Sequence, residues 1–377
     1  MHSHCWVGNS DPLLPQESVS RVPELLRMDG LSLLRIMGLL ASVVIMAANF
    51  LYHRGPRWSR SAFVIVSLVA MALLVVSIEP NSVNGLPYLL SLGGFENGRL
   101  LSLAIIASFA AMLLALYTKA RADYLHRLLD RVVCADTTER ALSTKEFASP
   151  ANPISILICA YNEEMNLEAL LPHVPREIDG TKIDVLVVDD GSADATSRIA
   201  RHHGCLVARN SVNRGQGAAL RVGYMILRDR GTQFVITMDA DNQHRPEDIP
   251  VMAAPLLNGS ADFVIGSRRL GGADGGSAVR SVGVVVLSRL ISILVGRRIT
   301  DCSSGFRGLK MEAIACLDLR EDQYQTSEVI VEAAKKGLRI VEVPIHINLR
   351  MHGTSRKGPN MGYGFFFVKA MVKTWWR

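Results

Sequence analysis

The sequence predicts an α/β domain built on a mostly parallel sheet, preceded by an α-helical transmembrane domain with three spans. Three observations carry this. From Pro153 onward, short apolar runs alternate with amphipathic segments. Three long apolar blocks lie before residue 120. Acidic and glycine-containing motifs sit where the later apolar runs end. Alternating strands and helices imply a parallel sheet with helices on both faces, and ligands on such sheets bind at the carboxyl ends of the strands. A chain of 377 residues is long enough for one large domain plus an appendage.

The apolar blocks come first. Hydrophobic residues make up 49% of the chain, and the excess is concentrated in its first third. After a tail over residues 1–30, Leu31 to Leu51 is apolar except for Arg35 and Asn49. Ala62 to Ile78 is apolar throughout, and Leu100 to Thr118 carries no charge. A spanning helix needs about 20 apolar residues, with ~17 as the short limit, so residues 31–118 read as three spans. The first is no cleavable signal peptide: it starts late, and Arg54, Arg57, Arg60 and a second span follow it. The loop from Glu79 to Gly98 has no Lys or Arg, whereas Lys119, Arg121, Arg127 and Arg131 follow the third span. That asymmetry places the N-terminus outside and everything after residue 119 in the cytoplasm of a plasma-membrane protein. Residues 119–152 form a juxtamembrane helix and linker: Tyr117 to Val133 reads as the basic amphipathic surface helix and Ala135 to Asn152 as the linker. The net charge of +6, beside apolar spans, fits anionic lipid and not nucleic acid. The six cysteines show no metal-ligand spacing. Cys159 and Cys205 lie in apolar runs, read as small core residues and fit a reducing compartment.

The catalytic-type region, 153–357, runs strand, turn, helix. Ile154 to Cys159 reads as a buried strand, and Asn162, Glu163 and Glu164 open a helix. Ile183 to Val188 is a second strand, ending in Asp189-Asp190-Gly191-Ser192. Leu206 to Ala208 is a third, short strand. Gly215-Gln216-Gly217 starts a helix that runs to about Arg230. Phe234 to Met238 is a fourth strand, and Phe263 to Gly266 another. Asp239 and Asp241, two apart at a strand end, point the same way, and the Gln243 amide can join them. Such hard oxygen ligands suit Mg²⁺ or Mn²⁺ carrying a diphosphate. Asn162 and Glu163 fit a helix cap as well as a ligand pocket. Asp189-Asp190 fits a tight turn as well as a base, ribose or metal contact. Gly215-Gln216-Gly217 at a helix start could cradle phosphate. Arg268, Arg307, Arg350 and Lys357 fit phosphate contacts or solvated surface charges. Val282 to Val295 and, in the aromatic-basic segment 358–377, Gly364 to Trp376 fit interfacial helices or core.

Taken in order, Cys159-Ala-Tyr-Asn-Glu163, Val188-Asp-Asp-Gly-Ser-Ala-Asp194, Asn213-Arg-Gly-Gln-Gly217, Asp239-Ala-Asp-Asn-Gln-His244, Gly266-Ser-Arg268, Asp301-Cys-Ser-Ser-Gly-Phe-Arg307 and Glu342-Val-Pro-Ile345 resemble family-2 glycosyltransferases of the dolichyl-phosphate mannose synthase, or polyprenyl-phosphate, type. The resemblance covers about residues 153–357. The first third resembles a small bacterial three-span membrane domain fused to such enzymes. The resemblance implies a GT-A fold (Rossmann-like, with a mostly parallel sheet), a GDP- or UDP-hexose donor, a polyprenyl phosphate acceptor, Mg²⁺ or Mn²⁺, and a bilayer as partner. A homo-oligomer is compatible with it. Dolichyl-phosphate mannose synthases typically carry Gly-Lys-Gly where this chain has Gly215-Gln216-Gly217, which sets GDP-mannose apart from the other donors; Arg214 beside it is the cation that could substitute. No Gln-x-x-Arg-Trp follows the metal motif, which argues against a processive polysaccharide synthase.

What this implies chemically is inverting transfer of a hexose, with Asp241, Arg268 and Arg307 as the catalytic groups. Asp241 and Gln243 would hold the metal, with Asp239 as a further ligand or ribose partner. Tyr161, Asn162, Glu163, Asp189, Asp190, Arg214, Gln216 and Asp239 would line the nucleotide-sugar site. Arg268, Arg307, Arg350 and Lys357 would bind acceptor or donor phosphate, guanidinium being suited to two-point contact. Glu328 fits a sugar contact or a structural ion pair equally. The competing readings are transfer to another membrane acceptor, glycolipid or protein, and an inactive nucleotide-sugar-binding scaffold.

Overall fold

The computed structural model describes residues 30–53, 60–90, 97–274, 278–349 and 360–376. The chain divides into two compact units, Met1–Ala120 and Arg121–Arg377.

The first unit contains helices α1 (Gly30–His53), α2 (Arg60–Ile78) and α3 (Leu86–Leu89), and the start of α4 (Gly98–Leu142). α1 packs on α2. Asn49, the polar residue inside the first apolar run, is buried, and its Nδ2 donates to the Phe63 carbonyl at 3.0 Å and to Ser67 Oγ at 2.9 Å. A satisfied amide of this kind ties apolar helices together where water cannot compete. Large apolar side chains such as Val44, Leu68, Phe109 and Leu113 point outward. Among the described residues one helix is long and apolar enough to cross a bilayer, over Leu100–Leu142; the apolar stretches Arg35–Leu51 and Phe63–Ile78 are shorter. Arg54 and Arg57, on which the expected orientation partly depends, lie outside the described residues.

α4 differs from its expected organisation. It is one helix of 45 residues with no Gly or Pro after Gly98, and Ala135 to Leu142, expected as linker, are its last turns. The Thr residues that suggest a linker are packed inward: Thr137 and Thr138 are buried, as are Cys134 and Ala141. Tertiary burial overrides the weak helix propensity of threonine.

The second unit is built on an eight-stranded sheet. Its strands are β1 (Ile154–Ala160), β2 (Glu177–Ile178), β3 (Thr181–Asp189), β4 (Leu206–Arg209), β5 (Phe234–Asp239), β6 (Phe263–Ala273), β7 (Arg307–Lys310) and β8 (Ile340–Ile347). The order is β2-β3-β1-β5-β7-β6-β8, with β4 also on β3. The sheet is mostly parallel, as expected, but β7 runs antiparallel between β5 and β6, and β2 is antiparallel to β3. β7 is only four residues, Arg-Gly-Leu-Lys, too short to show a strand period in the sequence.

Side-chain alternation splits the core in two. Ile154, Ile156 and Ile158 of β1 join Ile183, Val185 and Val187 of β3 on one face, with helices α5 (Glu164–Leu170), α6 (Thr196–His202) and α8 (Ile249–Leu257). Leu157, Leu186 and Val188 face the other side, against α7 (Gln216–Arg230), α9 (Ala278–Val295), α11 (Gln325–Lys335) and α12 (Asn360–Trp376). A short helix, α10 (Met311–Ala315), follows β7. Cys205 lies in the first core, as expected, and Cys159 is half-buried against the second. α9 and α12 each pack one face into the core and leave apolar side chains exposed on another. α9 buries Ile291 and exposes Val282, Val286, Leu290 and Ile293 along one stripe. α12 buries Phe367 and Met371 and exposes Phe365, Phe366 and Trp376.

Phe263 is fully buried where β6 begins, and the Arg307 guanidinium lies 5.6 Å from its ring centroid. Phe263→Ala removes core contacts and the ring beneath that cation, and should cost about 3–5 kcal/mol. Chemical denaturation followed by circular dichroism should show an earlier midpoint with an unchanged slope; a wild-type midpoint would contradict the packing described.

Candidate active site

β5 ends in the pair of acids. Asp239 is the last residue of the strand, and its side chain is about one-third exposed. Its Oδ1 accepts Gln216 Nε2 at 2.7 Å. Its backbone N–H donates to His244 Nδ1 at 3.0 Å, so that nitrogen carries no proton and the ring proton sits on Nε2, 4.0 Å from Asp239 Oδ2. His244 is buried and stacked on Phe306 at 5.0 Å. Between the acids and the histidine the chain turns sharply, with Asn242 at φ 60°. Asp241 Oδ1 accepts the Gln243 N–H at 3.3 Å, and Gln243 Nε2 donates to the Asn348 carbonyl at 3.3 Å. That bond directs the amide nitrogen toward the end of β8 and the amide oxygen away from it. The segment before β7 also closes on Asp239: a Cβ at Gly305 would lie 2.6 Å from Asp239 Oδ2. Among the described residues no three His, Cys, Asp or Glu side chains converge as a ready-made metal cage. Two carboxylates and an amide oxygen still fit a cation that brings phosphate oxygens as its remaining ligands.

The acids at the end of β3 do something different. Asp189 is almost wholly buried, accepting the Ser192 N–H at 2.8 Å and the Ser197 hydroxyl. Asp190 is also buried. It accepts Asn210 Nδ2 at 2.8 Å, the Arg214 N–H at 3.0 Å and the Gly215 N–H at 2.7 Å. Burial pushes the Asp190 carboxyl up from its ordinary value, the hydrogen bonds oppose this, and Asp189 adds to it. Both acids therefore frame the cleft and organise its loops. Asn162, at φ 53°, donates its N–H to Ser192 Oγ at 2.9 Å and accepts the Ala193 N–H at 2.8 Å. The Glu163 N–H reaches Thr196 Oγ1 at 3.0 Å. Tyr161, half-buried, stands beside them.

Two expectations at the start of α7 are corrected. Gly215-Gln216-Gly217 is no phosphate cradle. The Gly215 N–H is bound to Asp190, and the Gly217 N–H donates to the Asp322 carbonyl at 2.9 Å. Glycine is needed at 217 because a Cβ would lie 2.1 Å from the Glu321 carbonyl oxygen. The Arg214 guanidinium does not face the nucleotide cleft either. It is paired with Asp130 of α4, and only its backbone N–H reaches Asp190.

The third group lies where β6 meets the loop before β7. In the register of β6 against β8, Ser267 pairs with Pro344 and Gly272 with His346, so residues 268–271 bulge opposite Ile345. The bulge re-aims Arg268. Asp301, with no exposed surface, grips it in a fork at 2.6 and 2.9 Å. Burial raises the Asp301 carboxyl, but the hydrogen bonds and charge of Arg268 outweigh it and hold the group below its ordinary value. Glu342 fixes this loop by accepting the N–H groups of Thr300 at 2.8 Å and Asp301 at 3.0 Å. Arg307 is buried; its Nε donates to the Ser304 carbonyl at 2.8 Å and its Nη2 to the Cys302 carbonyl at 3.3 Å. Burial lowers its pKa to about 10. It lines a cavity of about 20 Å³ with Gln216, Tyr224, Asp239, Gly305 and Gln325. That volume holds about one water and no hexose, so the cavity is the floor of the cleft. Glu328 takes the structural option: it accepts the Arg320 and Glu321 N–H groups at 2.8 and 3.0 Å. Arg350 and Lys357 lie outside the described residues.

His244, Gln216 as partner of Asp239, and Glu342 as loop clamp are the groups whose roles sequence reasoning did not reach. All three stand inside motifs quoted from the sequence, but their roles depend on contacts across the sheet.

A sheet of this order, with its acids at the carboxyl ends of parallel strands, defines a glycosyltransferase domain of GT-A type. The chain belongs to glycosyl transferase family 2, which residues 155–318 match. It is 36% identical to an uncharacterized protein of Methanocaldococcus jannaschii, over 58% of this chain and 90% of that one. It is 30% identical to the UDP-N-acetylglucosamine–dolichyl-phosphate N-acetylglucosaminyltransferase of Methanococcus voltae, over 58% of this chain and 96% of that one. It is also 30% identical to the undecaprenyl-phosphate mannosyltransferase of Micrococcus luteus, over 53% and 85%. Among solved structures, glucosyl-3-phosphoglycerate synthase from Mycobacterium tuberculosis, in complex with Mn²⁺, UDP-glucose and phosphoglyceric acid, is similar over 63% of this chain and 82% of that one, with TM-score 0.48 and 20% identity.

Asp301→Asn leaves a guanidinium without its buried counter-charge and should lower stability by about 3–5 kcal/mol at neutral pH. The folded-state carboxyl sits below its unfolded value. Its contribution is therefore complete above the ordinary carboxylate range and is lost as pH falls through the depressed value. Denaturation curves at neutral and acid pH should show the gap between wild type and variant closing in acid; a gap that widens there would refute the assignment.

Proposed function

We propose that the protein transfers a hexose from a nucleotide sugar to a polyprenyl phosphate, with inversion, at the cytoplasmic face of the plasma membrane. The observation that carries this is the partly open Asp239 carboxylate at the end of β5, with Asp241 and Gln243 in the turn that follows, in a chain whose relatives bear the names of dolichyl- and undecaprenyl-phosphate glycosyltransferases. Asp241 and Gln243, with Asp239, would hold Mg²⁺ or Mn²⁺. When bound, the cation supplies Lewis-acid stabilisation of the departing nucleoside diphosphate.

The remaining work is positioning. A prenyl phosphate oxygen is already anionic near neutral pH and attacks the anomeric carbon without a strong general base. One C–O bond forms as the bond to the diphosphate breaks, and a single displacement inverts the centre. Arg268, locked by Asp301 and about a quarter exposed, is the cation placed to meet the acceptor phosphate. Arg307, buried beneath Asp239, offsets negative charge from below. Tyr161, Asn162 and Glu163 line the donor side over the frame of Asp189 and Asp190. The exposed stripes of α9 and α12 support a lipid acceptor, because apolar and aromatic side chains flanked by Lys369 and Lys373 suit the bilayer interface. α1, α2 and the first half of α4 would be the three spans.

Asp241→Ala should keep the fold and lower turnover by about a hundredfold or more, since leaving-group stabilisation is often the largest catalytic contribution. A chelator should do the same to wild type, reversibly. Full activity of Asp241→Ala with chelator present would remove the metal assignment.

The acceptor is tested with a radiolabelled donor and two lipids in detergent. Polyprenyl phosphate should take the sugar and the free prenol should not, because the prenol lacks both the anionic nucleophile and the group Arg268 would bind. Equal transfer to both, or transfer only to protein or diacylglycerol, would favour the other membrane acceptors. No transfer at all, with nucleotide binding intact, would favour an inactive scaffold.

A further inference from the structure

Beneath the donor cleft, four charged side chains from three separate stretches of the second unit meet. Asp130 of α4 is paired with Arg214 and, through Oδ2, with Arg221 Nη2 at 3.0 Å. Arg221 is also paired with Asp322, and its Nη1 donates to the Glu321 carbonyl at 3.1 Å. The Asp130, Arg214 and Arg221 side chains are each less than one-fifth exposed; Asp322 is more open and is touched at 3.4 Å by the exposed His126. Two guanidiniums are thus balanced by two carboxylates away from bulk water. Burial, then the neighbouring Arg221, depress the Arg214 pKa, which marks the repulsion that the carboxylates offset.

This cluster sits one step behind the cleft. The backbone N–H of Arg214 and that of Gly215 clamp Asp190, the next residue's side chain holds Asp239, and the Gly217 N–H is bound to Asp322. Whatever moves Arg214 moves the segment that frames both acids. Asp130 comes from the second half of α4, outside the matched family region 155–318.

We propose that Asp130 is a positioning residue for the nucleotide-sugar site: by neutralising Arg214 and Arg221 together it lets residues 214–217 close on Asp190 and Asp239, so that donor affinity depends on the docking of α4. This rests on the donor reading given above. Loss of Asp130 leaves two cations against one anion, and the repulsion falls on Arg214.

The test uses the full chain in detergent, with UDP and GDP as binding probes in the presence of Mg²⁺, and steady-state kinetics with the donor. Wild type should bind one of the two nucleotides. Asp130→Asn should weaken that binding and raise the donor KM on the order of tenfold, the usual scale of coupling between linked sites, with kcat nearly unchanged. Asp130→Glu, which keeps the charge, should fall between. The double variant Asp130→Asn/Arg214→Gln restores the balance of one cation to one anion and should recover most of the lost affinity. A purely structural role for Asp130 predicts the opposite, a double variant worse than the single one, with the melting temperature falling in step. Wild-type affinity in Asp130→Asn, or no recovery in the double variant, overturns this proposal alone. Binding of neither nucleotide by wild type removes the donor reading, and this proposal with it.

Discussion

The site depends on one strand that runs against its neighbours. A chain following β7 toward its start arrives at the end of the sheet where β5 and β6 finish, because β7 is antiparallel to both. The segment just before it, residues 301–306, is therefore delivered to the carboxyl ends of the parallel strands, where ligands bind. This brings Gly305 against the Asp239 carboxylate and Asp301 onto Arg268. Had β7 been parallel, residues 301–306 would lie at the opposite edge, and Asp239 and Arg268 would lose the loop that joins them. Inside β7 itself Gly308 leaves room for α8: a Cβ there would lie 2.9 Å from Leu256 Cδ1.

Around that junction, loops are held by carboxylates bound to backbone N–H groups. Asp190 holds residues 214–215, Asp189 holds Ser192, Glu342 holds residues 300–301, and Glu328 holds residues 320–321. A buried carboxylate without donors costs several kcal/mol, so each is stable only while its loop keeps its shape, and each loop keeps its shape because straying would orphan the charge. Loops in an α/β fold are otherwise its least ordered parts. Here they are tied down by side chains from strand ends and from helix α11.

This division explains what could be read from the sequence and what could not. The strands β1, β3, β4 and β5 and the helix α7 follow from uninterrupted apolar runs and flanking glycines, and their limits agree with the structure to within about two residues. The place of Asp239 at the end of β5 was legible from the apolar run before it, and Asp241 and Gln243 follow in the turn. For Asp189 and Asp190 a tight turn and a ligand contact were both open, and nothing in Asp-Asp-Gly says that Asp190 also accepts from residues 20 and more positions away. The same holds for Arg214: a cation beside a glycine-rich helix start suggests phosphate, and its partner Asp130 lies 84 residues earlier on a helix with no visible link to the cleft. Composition failed on α4, where Thr137 and Thr138 resemble linker but are core.

The same logic separates the acids by the work open to them. A carboxylate can take a cation only if its oxygens are neither enclosed nor already spent on fixed donors. Asp189, Asp190 and Asp301 are at most 3% exposed, and both oxygens of each accept from protein N–H or O–H groups. Binding a metal there would mean breaking the loops they hold. Asp239 is different: one oxygen takes the Gln216 amide, the other faces His244 only at 4.0 Å, and its side chain is about one-third open. Gln216 matters in this respect, because a neutral amide orients the carboxylate without cancelling its charge, where an ammonium would do both. Asp239 thus keeps its charge and one oxygen without a close protein donor, above the Arg307 guanidinium that lines the same cavity. Gln216 and His244 thus set the orientation of this one carboxylate from two sides.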